Sequence, residues 1–166
     1  MPRQEIIRKA KQDKRAGKSA STQAGEFVKD EIDKIRKGKH GARSTKQAIA
    51  IGLSEARRAG VDLPPPRKGA KKSTRRSAKY AYEVGQGKRT PKRRPKVSRA
   101  VERVLKKEPR STASRSALSK QGKSAANRRS AASRSAAARK ASRTKGAKVR
   151  SAAAKKAART RARRRS

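Results

Sequence analysis

The sequence predicts a mostly α-helical chain: a small helical head built on a helix pair, weak helices in a basic middle, and a largely disordered cationic tail. Three observations carry this reading. Leu, Ile, Val and Phe total 18 of 166 residues, and 30 of the 51 hydrophobic residues are alanine. So little large apolar surface denies the chain a full-sized core. The larger apolar residues of the first 60 positions recur at helical spacing. Charge is graded: residues 1–66 hold 16 basic and 8 acidic residues, residues 67–108 hold 17 and 3, and residues 109–166 hold 20 basic residues and no acid.

The head is taken as residues 1–63. A first, weak helix covers Pro2 to Ala16 and stops at Gly17. A second runs from about Gln23 to Lys37, with Ala24, Phe27, Val28, Ile32 and Ile35 on one face. Acids Glu26, Asp30, Glu31 and Asp33 precede Lys34, Arg36 and Lys37, an order that suits the helix dipole. Those acids read as a solvated face, with pairing to the tail as an alternative. Gly38 fits the position after the C-cap. The third helix has the clearest start. Ser44-Thr45-Lys46-Gln47 matches a capping box, with Ser44 as N-cap and Gln47 three residues on. Ala48, Ile49, Gly52, Leu53 and Ala56 form its apolar stripe, and Gly60 ends it. Helices two and three pair across the short turn from Gly38 to Arg43, with Gly52 and the alanines permitting close approach.

Pro64-Pro65-Pro66 opens a Pro/basic linker over residues 64–72, extended and semi-rigid. The basic middle, residues 73–108, carries two weaker helices. One spans Ser73 to Val84 and includes Tyr80 and Tyr82; the other spans Ser98 to Lys107, with Val97, Val101, Val104 and Leu105 on one side. A basic extended run, Lys88 to Lys96, lies between them.

The tail, residues 109–166, holds 17 Ala, 11 Ser and 20 Lys or Arg. One basic residue in three repels its neighbours, which predicts disorder in water. Ala, Arg and Lys are also good helix formers, so helix is expected to form once phosphates neutralise the charge. The stretch Arg134 to Lys145 recurs as Arg150 to Arg161, offset by 16 residues. That points to repeated use of one short binding element.

A net charge of +42 requires a polyanion. The composition predicts non-sequence-specific binding of duplex DNA through phosphate contacts, as in a histone-like, nucleoid-associated protein. The candidate contacts are Arg93, Arg94, Arg128, Arg129, Arg134, Arg139, Lys140, Arg143, Lys145, Arg150, Lys155, Lys156, Arg159, Arg161, Arg163, Arg164 and Arg165. Base readout needs a rigid frame in a groove, which the tail does not offer. Single-strand binding is disfavoured because only Phe27, Tyr80 and Tyr82 are aromatic. RNA or a ribosome remains an alternative partner. A third reading makes the head a protein-interaction module and the tail a nucleic-acid tether, and the head is also a candidate for homo-oligomerisation.

Other classes are disfavoured. No stretch is apolar enough for a membrane span and no signal core opens the chain, so the expected place is the cytoplasm and nucleoid. Cysteine is absent, so there are no disulfides or thiolate metal sites. His40 is alone and reads as an exposed turn residue, and the head glycines form no phosphate loop. The Ser-Arg pairs read as polar spacing between arginines rather than modification sites. No catalytic, cofactor or metal set is visible, and an enzyme is not expected.

The segment Gly38-Lys39-His40-Gly41-Ala42-Arg43-Ser44-Thr45-Lys46-Gln47-Ala48-Ile49-Ala50-Ile51-Gly52-Leu53-Ser54-Glu55-Ala56-Arg57-Arg58-Ala59-Gly60 resembles a family of small basic bacterial proteins. These share a KQAIAIGLSEARRAG-like module, and some are labelled DNA-binding. The resemblance extends to Ser21–Val28 and to Pro64-Pro65-Pro66, and it implies a bacterial nucleoid-associated role. Separately, the tail is similar in composition to linker-histone and bacterial histone-like tails. Neither likeness supplies catalytic residues.

Overall fold

The computed structural model describes residues 3–66, 69–92 and 94–163, without the side chains at 144 and 145. Seven α-helices and one 3₁₀ turn follow one another among the described residues: α1 Gln4–Arg15, α2 Ala20–Arg36, α3 Thr45–Arg58, α4 Lys72–Gly85, α5 Pro95–Lys107, the turn at Ser111–Ala113, α6 Arg115–Asn127 and α7 Ala131–Ala162. Met1–Gln121 form one compact unit and Gly122–Ser166 a second.

In the first unit, helices α1 to α4 pack in chain order, with α2 against α3 as the most extensive contact. Each of the four ends in a Schellman motif. At α2, Gly38 N–H donates to Ile35 O (3.0 Å) and Lys39 N–H to Lys34 O (3.0 Å), with Gly38 at φ +74. The capping box forms at α3: Gln47 N–H donates to Ser44 Oγ at 3.2 Å. The Gln47 side chain accepts from Arg43 N–H at 2.8 Å, one residue before the cap. The helices approach closely at Gly52, where a Cβ would lie 2.7 Å from Val28 Cα.

The apolar stripes close two small cores. The first joins Ile6 and Ala10 of α1, Ala24 and Phe27 of α2, Ala56 of α3 and Val61. The second joins Ile32 and Ile35 of α2 with Ala42, Ala48 and Ala113, with Val28 and Leu118 packed against it. Helix α4 adds buried Ala78 and Ala81, and its last residue, Gly85, lies against the backbone of Arg57 and Gly60. The Arg57 side chain is buried and donates to the carbonyls of Leu63 (3.0 Å), Pro64 (3.4 Å) and Leu53 (3.5 Å). It thereby fixes the start of the proline segment, and its desolvation lowers its pKa.

The acids of α2 are not a solvated face. Asp30 and Glu31 are buried against Lys34, whose Nζ lies 2.9 Å from Asp30, 3.6 Å from Glu31 and 3.3 Å from Glu55 on α3. Arg3 adds a contact to Asp30 at 3.6 Å. His40 is half-buried rather than exposed, with Nε2 3.5 Å from Glu31 Oε1 and Nδ1 3.0 Å from Gly41 O. Sequence reading missed this because the partners sit on two helices and a turn. Burial raises the Glu31 carboxyl above its ordinary value; His40 and Lys34 oppose that and Glu55 adds to it. Burial lowers the Lys34 amine, but Asp30 and Glu55 outweigh it and leave the pKa raised.

The second correction concerns residues 109–166. The largely disordered tail expected from charge is absent: Arg115–Asn127 and Ala131–Ala162 are helical. Propensity wins over repulsion for a countable reason. A like-charged pair four residues apart costs only about 0.2–0.5 kcal/mol and is screened by salt. The Ala, Lys and Arg that dominate the tail carry almost no propensity penalty. Helix therefore does not wait for phosphate. The start of this region also belongs to the first unit. Gly41 N–H donates to Leu105 O (2.8 Å) and Ala42 N–H to Pro109 O (3.2 Å). Arg36 Nε donates to Ala113 O (2.9 Å), and Thr45 Oγ1 to Thr112 O (2.7 Å). This strap lies over the α2–α3 turn, and Ala113 and Leu118 complete the second core.

Helix α5 leaves Val97, Val101 and Val104 more than half exposed. No helix among the described residues is long and apolar enough to cross a membrane.

Candidate nucleic-acid interface

The cations named from sequence fall at five places. Arg94 is the exposed N-cap residue of α5. Arg128 and Arg129 follow α6 and are exposed. Arg134, Arg139, Lys140 and Arg143 are exposed on the first half of α7. Arg150, Lys155, Lys156, Arg159 and Arg161 are exposed on its second half, and Arg163 is its C-cap residue. Arg93, Arg164, Arg165 and the Lys145 side chain lie outside the described residues.

Helix α7 holds no acid and, among its described side chains, no buried residue. Ser130 caps it, accepting from Ser133 N–H at 3.2 Å. The backbone breaks once, at Gly146, where φ +60 and ψ 166 leave the helical region. That combination is essentially glycine-only. Cations therefore project from two successive helical segments, each about 24 Å long at 1.5 Å per residue. Such a surface attracts phosphates without selecting bases.

A second basic locus was missed from sequence. Arg58 on α3, Arg76, Ser77, Lys79, Tyr80 and Glu83 on α4, and Lys88 and Arg89 beyond it line an open cleft of about 880 Å³. Arg89 lies over the Tyr80 ring at 5.1 Å and pairs with Glu83 at 3.2 Å, and Lys79 lies 3.7 Å from Glu83. The spacing of Arg76, Lys79, Tyr80 and Glu83 puts them on one helical face and was readable. The approach of Arg58 was not, because it depends on the α3–α4 packing at Gly85. No group of three or more His, Cys, Asp or Glu able to hold a metal ion occurs among the described residues.

A model of a family of unknown function, DUF6496, matches residues 11–68. The matched stretch covers α2 and α3 and ends before α4, so it includes none of the cations named from sequence and, of the basic cleft, Arg58 alone. No curated protein and no solved structure matches the chain.

Proposed function

We propose that this protein binds duplex DNA without sequence specificity, as a histone-like nucleoid protein whose C-terminal helices contact phosphates. The observation that carries the reading is the run from residue 109 onward: 20 basic residues and no acid. On α7 the described cations are exposed on all sides of the helix. Each phosphate neutralised releases condensed counterion, so about ten engaged cations give a slope of log K against log salt near −9. The test is affinity for a mixed-sequence duplex from 50 to 300 mM salt, with structured RNA as competitor. A steep slope with duplex preferred supports the proposal. RNA winning at matched salt replaces it with an RNA- or ribosome-associated role.

A second reading, a protein-interaction surface, is favoured by one feature, and it lies outside the head expected to carry it: the exposed Val97, Val101 and Val104 stripe of α5, in the basic middle. Val101→Asp in the full chain leaves DNA affinity intact and abolishes any specific partner retained by the wild type.

A further inference from the structure

The two-copy repeat of the tail has a third member that only the backbone reveals. Ser114, Ser130 and Gly146 stand 16 residues apart. Each precedes a helical segment and each has an extended ψ: 156, 155 and 166. Ser114 Oγ accepts from Ala117 N–H at 3.2 Å, as Ser130 Oγ does from Ser133 N–H at 3.2 Å. The fifth residue of the second and third segments reaches back to the junction. Arg134 Nη1 donates to Arg129 O (3.2 Å), and Arg150 Nε donates to Gly146 O (3.2 Å). The first segment has Leu118 there, packed on the second core. Terminal members of a repeat are commonly adapted in this way to join the rest of the protein.

We infer that residues 114–129, 130–145 and 146–161 are three tandem helical modules, and that the second and third are equivalent, separately seated binding sites for the duplex phosphate backbone. This rests on the duplex-binding reading above. Counted from the capping residue, both modules carry cations at the tenth, eleventh and fourteenth positions: Arg139, Lys140 and Arg143, and Lys155, Lys156 and Arg159. At about 100° per residue each triad occupies an arc of roughly 100° on its helix. A module is about 24 Å long, shorter than one duplex turn of roughly 34 Å. An unbroken helix of 32 residues would run about 48 Å and leave a winding groove. The break at Gly146 lets each module follow the duplex by itself.

The test uses the full chain and a 30-bp duplex. Two triple variants, R139A/K140A/R143A and K155A/K156A/R159A, remove one triad each while keeping good helix formers. Each lowers the steepness of the salt slope by about 2.7, and both together by about 5.4. Gly146→Ser gives up φ +60 for the backbone of Ser114 and Ser130 (φ −64 and −61, ψ 156 and 155), keeps a serine-capped break there, and holds affinity within about twofold. Gly146→Ala joins the modules into one rod, raises the far-UV helical signal and costs as much slope as losing one triad. If the triads are unequal, or if Gly146→Ala binds like the wild type, the modules are not separate sites and the inference falls while duplex binding stands. If the wild type shows no salt-dependent duplex affinity, the functional reading falls and takes the inference with it.

Discussion

Alanine in place of glycine within α2 and within α3 should change stability in opposite directions. Gly25 is exposed in the interior of α2, and a Cβ there meets nothing within 4 Å. Gly25→Ala gains only the propensity difference, about 0.8–1.0 kcal/mol. Gly52 sits at the α2–α3 crossing, where a Cβ would lie 2.7 Å from Val28 Cα, 2.9 Å from Val28 N and 3.1 Å from Phe27 O. Those are backbone atoms of α2, so no rotamer change relieves the contact. Ordinary carbon contacts of about 3.5–4.0 Å require the helices to separate by about 1 Å. Both small cores lie on that interface, which places the overpacking cost near the top of the usual range, about 3 kcal/mol. Less the propensity gain, Gly52→Ala loses about 2 kcal/mol. For a unit of this size that lowers Tm by roughly 10 °C, while Gly25→Ala raises it by about 4 °C. Tyrosine fluorescence follows the first unit selectively, because the chain has no Trp and both tyrosines lie on α4, which packs against α3. Shifts of the same sign, or a neutral Gly52→Ala, would refute the close approach of α2 and α3.

Three further outcomes are expected. The Glu31 carboxyl is raised by burial, so its contribution to stability is present below its ordinary value of 4.5 and is lost as pH rises through the folded value. Glu31→Gln should remove that loss, so the stability difference between variant and wild type grows with pH across that window in urea titrations. Arg57→Met strips the donors from the carbonyls of Leu53, Leu63 and Pro64 and should cost about 1.5–3 kcal/mol by the same tyrosine signal. Leu118→Ala should lower head stability by about 1–2 kcal/mol, since half-burial of a leucine gives roughly that. Arg134→Ala and Arg150→Ala, at the equivalent module positions, should leave it unchanged.

How much was legible in the sequence follows from the range of the forces involved. The capping box at Ser44, the apolar face of α2 and the glycine stops were all readable, because each is a signal within a few residues. The strap over the α2–α3 turn was not. It is held by the carbonyls of Leu105, Pro109, Thr112 and Ala113, and backbone acceptors leave no mark on composition. Its one buried side chain is an alanine, which in an Ala-rich segment looks like filler. The helical tail was misread because bulk charge density outweighed propensity in the reading, although the repulsion per pair is the smaller quantity. The basic cleft was half legible. The α4 face follows from spacing, whereas the nearness of Arg58 follows from a backbone contact at Gly85 that no pattern announces.

The placement of the acids bears on how the tail is kept available for a polyanion. All 11 acids precede residue 109. Several are engaged close to home: Asp13 with Lys18, Asp30 and Glu31 with Lys34, Glu55 with Lys34, Asp62 with Tyr82, Glu83 with Arg89, and Glu102 with Lys106. Two of these, Asp30 and Glu31, are buried and already held by Lys34. An acid that is already paired or buried offers little to a distant lysine across screening solvent. The grading of charge along the sequence is thus a division of labour. The first unit uses its carboxylates to fix its own helix pair, and residues 109–166 carry no acid of their own. In the proposed duplex complex a phosphate backbone would displace mainly small counterions, which is the condition for steep salt dependence. Moving one acid pair into α7, for example Ala137→Glu with Ala153→Glu, places a carboxylate in each of the two equivalent modules without disturbing the head. It should weaken duplex affinity at low salt, by less than a triad loss does, because it changes the charge of α7 by −2 against −3. Unchanged affinity would mean that α7 does not face the duplex.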